Sequence, residues 1–271
     1  MTEPYQGDMQ KETSLLDGLD LISSEFIQNP YPIYTKLRQH SPVTAVKNGG
    51  YLLVRHADIV TTLKNPGFGN APSRFSTLHA KNREKYTAAD LAANILPFMD
   101  PPEHDLPRRI VTLAYRNRMT QFIEELVQTA DIFASRVNSK EPCDVVTQIA
   151  SPFTYVTMCR FLGIPDSDGE YLKQLSEFFF YLFAPINDPD KFNEINSRLV
   201  EFREYFRACL QDRKSQPKDD LVSYLYQTDY QGEKLTEDQV IDTCILLFAD
   251  GVENVHYGVG NVLIELGTHP E

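Results

Sequence analysis

The sequence predicts a mainly α-helical fold with one small β-hairpin near the N-terminus, ending on a long central helix. Three observations carry that prediction. From Leu91 onward, apolar residues recur at helical spacing in segment after segment. The one clear β signal is a pair of short β-rich runs flanking Asn48-Gly49-Gly50. From Glu237 to about Thr268 no proline interrupts an apolar stretch, enough for a rod of about 48 Å at 1.5 Å per residue.

Taken in order, residues 1–18 are polar and acidic and are expected to form a flexible leader. They offer neither a basic start nor an apolar core, so no secretory signal is expected. In residues 29–43, Tyr31, Ile33, Tyr34 and Leu37 set the spacing of a short amphipathic helix, broken before Pro42. The hairpin around Gly49 follows, then a short helix ended by Asn65-Pro66-Gly67. The polar stretch 69–90 reads as loop with at most one weak helix. Helical segments are then predicted at roughly 91–98, 105–116, 118–137, 145–162, 167–183, 190–213 and 218–227, separated by turn residues. The last helix opens on Thr236 and Gln239 at capping-box spacing, with Leu235 and Val240 placed to form a hydrophobic staple. Its first half is apolar on most faces, so it should be buried on most sides.

Composition narrows the function classes. The 271 residues hold 26 Lys and Arg against 38 Asp and Glu, a net charge of −12. Such a chain repels nucleic acid and acidic membrane surfaces, and neither is expected as a partner. Cys143, Cys159, Cys209 and Cys244 lack paired spacing, so no zinc site or redox pair is expected. They fit a reduced, cytoplasmic protein with buried thiols. The longest uninterrupted apolar run, Cys244–Ala249, is far too short to span a bilayer. No phosphate-binding glycine loop, G-x-S-x-G or H-E-x-x-H motif is present.

Two stretches stand out chemically. Asp250 and Glu253 interrupt the last helix at i, i+3, and His256 follows three residues on. Buried carboxylates are costly unless they are paired or face water or a ligand, and a solvent-facing turn is the alternative. Gly251, Gly258 and Gly260 weaken the same helix; they either let another body approach the backbone or leave the helix merely imperfect. The other stretch, "FMDPPEHDLPRRIVTLAYRNRM" (98–119), gathers Arg108, Arg109, Arg116 and Arg118 in an acidic chain. That is either a solvated face or an anion site, since guanidinium forks suit carboxylates and phosphates. Glu201, Glu204 and Arg207 read as surface ion-pair material.

Five segments, in order, resemble the soluble bacterial cytochromes P-450, the haem-thiolate monooxygenases. They are "NPYPIYTKLRQHSPV", "GGYLLVRHADIVTTLKNPGFG", "MDPPEHDLPRRIVTLAY", "SPFTYVTMCRFLGIPDSD" and "LTEDQVIDTCILLFADGVENVHYGVGNVLIELGTHPE". The resemblance implies a partial cytochrome P-450 fold: residues 19–271 would form the substrate-side portion of one domain. In the family a Glu-x-x-Arg helix and the cysteine that binds iron follow the last segment. None of the four cysteines sits in a matching loop, so no metal ligand is expected here.

The resemblance further implies that His104 and Arg108 contact a haem propionate. Gly251 and Glu253 match the glycine and acidic residue of the oxygen-activation motif. Asp250 stands where the family usually has alanine, and Asn254 where it has a threonine that helps deliver protons. The implied cofactor is haem and the implied substrate a small organic molecule, with electrons from a ferredoxin-type redox partner. The aromatics Phe178–Tyr181 and Phe183 would line a substrate or serve as core, and core is the favoured reading. The alternative is a haem-free accessory protein that stabilises a partner enzyme such as a glycosyltransferase, the partner covering the exposed face of the last helix.

Overall fold

The computed structural model describes residues 18–47, 49–70, 78, 80–137, 142–183 and 188–269. The expected leader and Asn48 lie outside these, apart from Gly18. The chain divides into two compact units, Met1–Gly69 and Asn70–Glu271.

In the first unit, α1 (Ser24–Gln28) is a short helix that the hydrophobic pattern did not disclose. Its signal is local: the Ser23 hydroxyl accepts from the Phe26 N–H at 3.3 Å. The expected amphipathic helix is α2 (Tyr31–His40), and it stops before Pro42 as predicted. Strands β1 (Val43–Ala45) and β2 (Tyr51–Leu53) pair antiparallel, with Val43 opposite Leu53 and Ala45 opposite Tyr51. Gly49 and Gly50 turn the hairpin with φ of +93° and +91°, a region glycine enters without steric cost. Helix α3 (His56–Lys64) closes the unit and ends at Asn65.

The second unit is built of α4 (Thr87–Asn94), α5 (Asp105–Ala134), α6 (Ser151–Leu162), α7 (Gly169–Phe179), α8 (Pro189–Ser215), α9 (Leu221–Gln227) and α10 (Glu237–Thr268). Several entries are fixed by side chains. Asp188 Oδ1 accepts from the Asp190 N–H at 2.9 Å to start α8, and Asp220 Oδ1 accepts from the Ser223 N–H at 2.8 Å to start α9. At α10 the capping box forms as expected: Gln239 N–H donates to Thr236 Oγ1 at 3.2 Å, and Thr236 N–H donates to Gln239 Oε1 at 3.0 Å. Leu235 and Val240 are both buried beside it. Helix α6 ends on Gly163 at φ +81°, where an added Cβ would lie 2.3 Å from Asp220.

Two boundaries differ from the sequence reading. The segments 105–116 and 118–137 are one helix. Asn117 costs only about 0.6 kcal/mol in a helix interior. Ile110, Ala114, Phe122 and Phe133, all buried, hold both halves down. Helix α4 begins inside the stretch read as loop, because Ala88 and Ala89 are buried at 1% exposure each. Alanine carries too little hydrophobic signal to announce such packing by itself. The ion-pair reading of α8 holds: Arg207 lies 3.4 Å from Glu204, and Arg198 lies 3.1 Å from Glu201.

The core of this unit surrounds the first half of α10. Val240, Ile241, Cys244, Ile245, Phe248, Ala249 and Val252 are each at 1% exposure or less. Inside that apolar surface sits a carboxylate, Asp242. Arg203 of α8 holds its two oxygens at 2.7 and 3.0 Å, and Asn94 of α4 donates to Oδ2 at 2.7 Å. A buried charge is tolerable only with such partners.

Burial pushes the Asp242 carboxyl up to about 6, further than the Arg203 charge and the Asn94 hydrogen bond pull it down. The folded chain therefore takes up this proton before the unfolded chain, whose ordinary value is 3.8. Its contribution to stability grows as pH falls from about 6 towards 4. Relative to Asp242→Asn, the wild type should gain up to about 3 kcal/mol between pH 7 and pH 4. Urea unfolding of both proteins across that range checks it; a gap that stays constant with pH would contradict the assignment.

Candidate functional site

The first site element is the N-terminal end of α5. The chain enters it through Pro101 and Pro102. The His104 N–H donates to the Asp100 carbonyl at 3.0 Å, and the Arg108 N–H donates to the His104 carbonyl at 3.1 Å. His104 and Arg108 are thus one helical turn apart and share a face. Arg108, Arg109 and Arg116 are exposed, and His104 is half-buried with Nδ1 3.7 Å from Asp105 Oδ1. With Tyr230 they line an open cleft of about 430 Å³. Arg109 donates to the Tyr230 hydroxyl at 2.8 Å, and its guanidinium lies 5.5 Å from that ring's centre. What the cleft offers is a row of cationic fork donors, the chemistry that holds carboxylates or phosphates.

Arg118 does not belong to this group, contrary to the sequence reading. It is buried at 5% exposure, donating to the Phe161 carbonyl at 3.1 Å and the Arg160 carbonyl at 3.0 Å. Those carbonyls lie in the last turn of α6, where a cation is favoured. The guanidinium also lies 4.7 Å from the centre of the Phe122 ring. Arg116 and Arg118 are two positions apart, about 200° around the helix, and that step turns one outward and the other into the helix contact.

The second element is the turn of α10 from Asp250 to Asn254. Asp250, Gly251 and Glu253 are half-buried and Asn254 is exposed. Asn254 Nδ2 donates to Asp250 Oδ1 at 3.4 Å, one turn apart. Burial raises the Asp250 carboxyl above its ordinary 3.8. Among the described residues Glu253 Oε1 is buried without a hydrogen-bond partner, and on α6 so is Thr157 Oγ1. His256 is buried, and its Nδ1 pairs with the Val252 carbonyl at 2.8 Å, so it serves the helix itself. The sequence showed the spacing of Asp250, Glu253 and His256. It did not show that the first two are half-buried and the third buried.

Gly251 has a packing reason. A Cβ there would lie 2.4 Å from Met158 Sδ and 2.9 Å from Met158 Cγ. Nothing in the sequence pairs those two residues. Of the aromatics, Phe179 is buried, whereas Tyr181 and Phe183 are 38% and 36% exposed, so the segment is only partly core.

The thiols of Cys159, Cys209 and Cys244 are poorly suited to bind metal. Burial pushes Cys159 up to about 12 and Cys209 up to about 11, and raises Cys244 as well. A thiolate ligand needs the opposite shift. Among the described residues no cluster of three or more His, Cys, Asp or Glu is arranged to hold a metal ion. No helix among them is long and apolar enough to cross a membrane.

No family model matches the chain. It is similar to cytochrome P450 CYP107DY1 of Priestia megaterium, 28% identical over 269 residues, a match covering 93% of this chain and 64% of that protein. It is also similar to the biotin biosynthesis cytochrome P450 of Bacillus subtilis, 26% identical over 254 residues, covering 92% and 63% respectively. Among solved structures it superposes on P450BioI in complex with hexadec-9Z-enoic acid ligated acyl carrier protein, with a TM-score of 0.78 and 26% identity over 92% of this chain and 64% of that one. The Bacillus subtilis bacillaene polyketide synthase cytochrome P450 PksS shares the fold, with a TM-score of 0.76 at 23% identity. The chain spans about 64% of the length of the relatives it matches.

The two arginine environments should separate on mutation. Arg118→Met strands two helix-end carbonyls and should cost about 2–4 kcal/mol, while Arg116→Met should stay within about 0.5 kcal/mol. Denaturant midpoints of the two variants test this, and equal losses would return Arg118 to the exposed cluster.

Proposed function

We infer that this chain, which resembles the cytochromes P450 in sequence and carries part of their fold, contributes the propionate-binding and distal portion of a haem monooxygenase. The observation that carries the reading is the cationic cleft at the start of α5. His104 and Arg108 share one face there, and Arg116 lines the same cleft. That donor set fits haem, whose two propionates are carboxylates needing fork or ring N–H donors.

Haem, when bound, supplies the chemistry that splits dioxygen and inserts one oxygen atom into an organic substrate. The residues of this chain do the rest of the work assigned here. Arg108 and His104 donate hydrogen bonds to the propionates and fix their orientation. On α10, Asp250 keeps its proton to higher pH than an ordinary carboxyl because it is half-buried. Asn254 donates from its amide but has no hydroxyl to pass a proton, unlike the threonine usual in the family. Asp250 is therefore the better proton donor of the pair. Glu253 presents a buried, unpartnered oxygen that accepts from a water or a substrate hydroxyl. The substrate class is a small organic molecule and the electron donor a ferredoxin-type protein. Residues 19–271 act as one portion of a single domain. The thiolate on iron comes from none of Cys159, Cys209 and Cys244, whose thiols burial keeps protonated.

A second reading has its own support. Val255, Tyr257, Val262, Leu263, Ile264 and Leu266 are all exposed on the last half of α10. Val255, Val262 and Leu266 share one side of the helix and Tyr257 and Ile264 the opposite side, and exposed apolar surface of this extent takes a polypeptide cover. Together with Asn254 in place of a hydroxyl residue, this favours a haem-free accessory protein that stabilises a partner enzyme such as a glycosyltransferase.

Haem titration of the 271-residue protein, followed by its Soret band, separates the two. The first reading expects saturable binding that weakens about 10- to 100-fold in Arg108→Ala and His104→Ala. Soluble protein that takes up no haem would overturn it in favour of the accessory role.

A further inference from the structure

Helix α10 carries a notch at Gly251, and one side chain of α6 fills it. An ideal Cβ at Gly251 would lie 2.4 Å from Met158 Sδ, 2.9 Å from Cγ and 3.0 Å from Cε. Ordinary contacts between such atoms begin at about 3.5 Å. Any residue larger than glycine must push α10 from α6 by about 1 Å or drive the thioether out. Both elements lie in the second unit, and both residues are half-buried.

The contact lies close to the candidate site. At 100° per residue, Asp250 and Asn254 fall within about a quarter turn of Gly251 around the helix. Burial is the whole cause of the raised Asp250 carboxyl, with no charged partner contributing. Its depth below the surface, and hence its proton affinity, follows the roll of α10 at this turn.

We propose that Met158 is a positioning residue for the Asp250–Asn254 turn, its thioether seated on Gly251 setting the roll of α10. This rests on the reading of that turn as the distal site. An approach of helices held to a fraction of an ångström is what proton delivery at a fixed point requires.

The test follows the Asp250 carboxyl by ¹³C NMR titration in the 271-residue protein, without haem. Met158→Ala admits water beside the notch, and Gly251→Ala forces the helices apart. Each should lower the Asp250 midpoint towards 3.8 by about half a pH unit or more. The double variant G251A/M158A, in which the new methyl fills the vacated space, should return it towards the wild-type value. Met158→Leu, close in volume, should keep it there and remains informative where Gly251→Ala fails to fold. A Met158→Ala protein that loses stability yet titrates Asp250 as the wild type does would overturn the proposal, leaving Met158 as packing alone. The titration needs no cofactor, so failure to bind haem would leave the positioning result standing.

Discussion

A helix that is apolar on most faces must be surrounded, and the first half of α10 is such a helix. Its residues from Val240 to Val252 are buried almost without interruption. Fully burying a single Leu, Ile or Phe side chain is worth about 1.5–3 kcal/mol, so this one segment supplies a large share of the second unit's driving force. The helices around it present largely apolar faces inward, and where α10 offers a carboxylate, Asp242, Arg203 and Asn94 meet it. Only towards its second half does the helix emerge, and Asp250 and Asn254 lie at that transition, where a polar side chain can be half-buried.

The same burial explains the polar fastenings. Arg203 reaches Asp242 and Arg213 reaches Asp220 at 2.6 Å, while Arg118 meets the carbonyls at the end of α6. The first and third tie helices far apart in the chain, the second ties α8 to the start of the next helix, and each is nearly closed to water. Replacing such pairs with apolar residues need not destabilise a protein, but removing one partner strands the other. They fix which face of each helix turns inward, a choice that hydrophobic burial leaves loose.

The candidate site uses both kinds of surface. At the start of α5 the arginines stand exposed in an open cleft, Arg109 held by Tyr230, where they can pair with anionic groups from outside. On α10 Asp250 stands at the edge of the core, where burial raises its proton affinity. Under the function proposed above, the first environment would anchor haem and the second would deliver protons. The departure at Asn254 concerns only the second. The exposed apolar residues that follow it bear on the accessory reading alone.

Much was legible in the sequence alone. The hairpin was written in two glycines able to take positive φ, and the start of α10 in the capping pair Thr236 and Gln239. Both are local signals, decided within a few residues. The order of helical segments and the similarity of five of them to one family were also readable, because apolar periodicity and motif order survive without a structure. The tertiary structure alone decided the rest. It joined two predicted segments into α5, drew Ala88 and Ala89 into the core, and sent Arg118 inward while Arg116 stayed out. It also set Met158 against Gly251. These depend on contacts between residues distant in the chain, where side-chain volume and the closing of water from a polar group determine the outcome, and no local pattern records either.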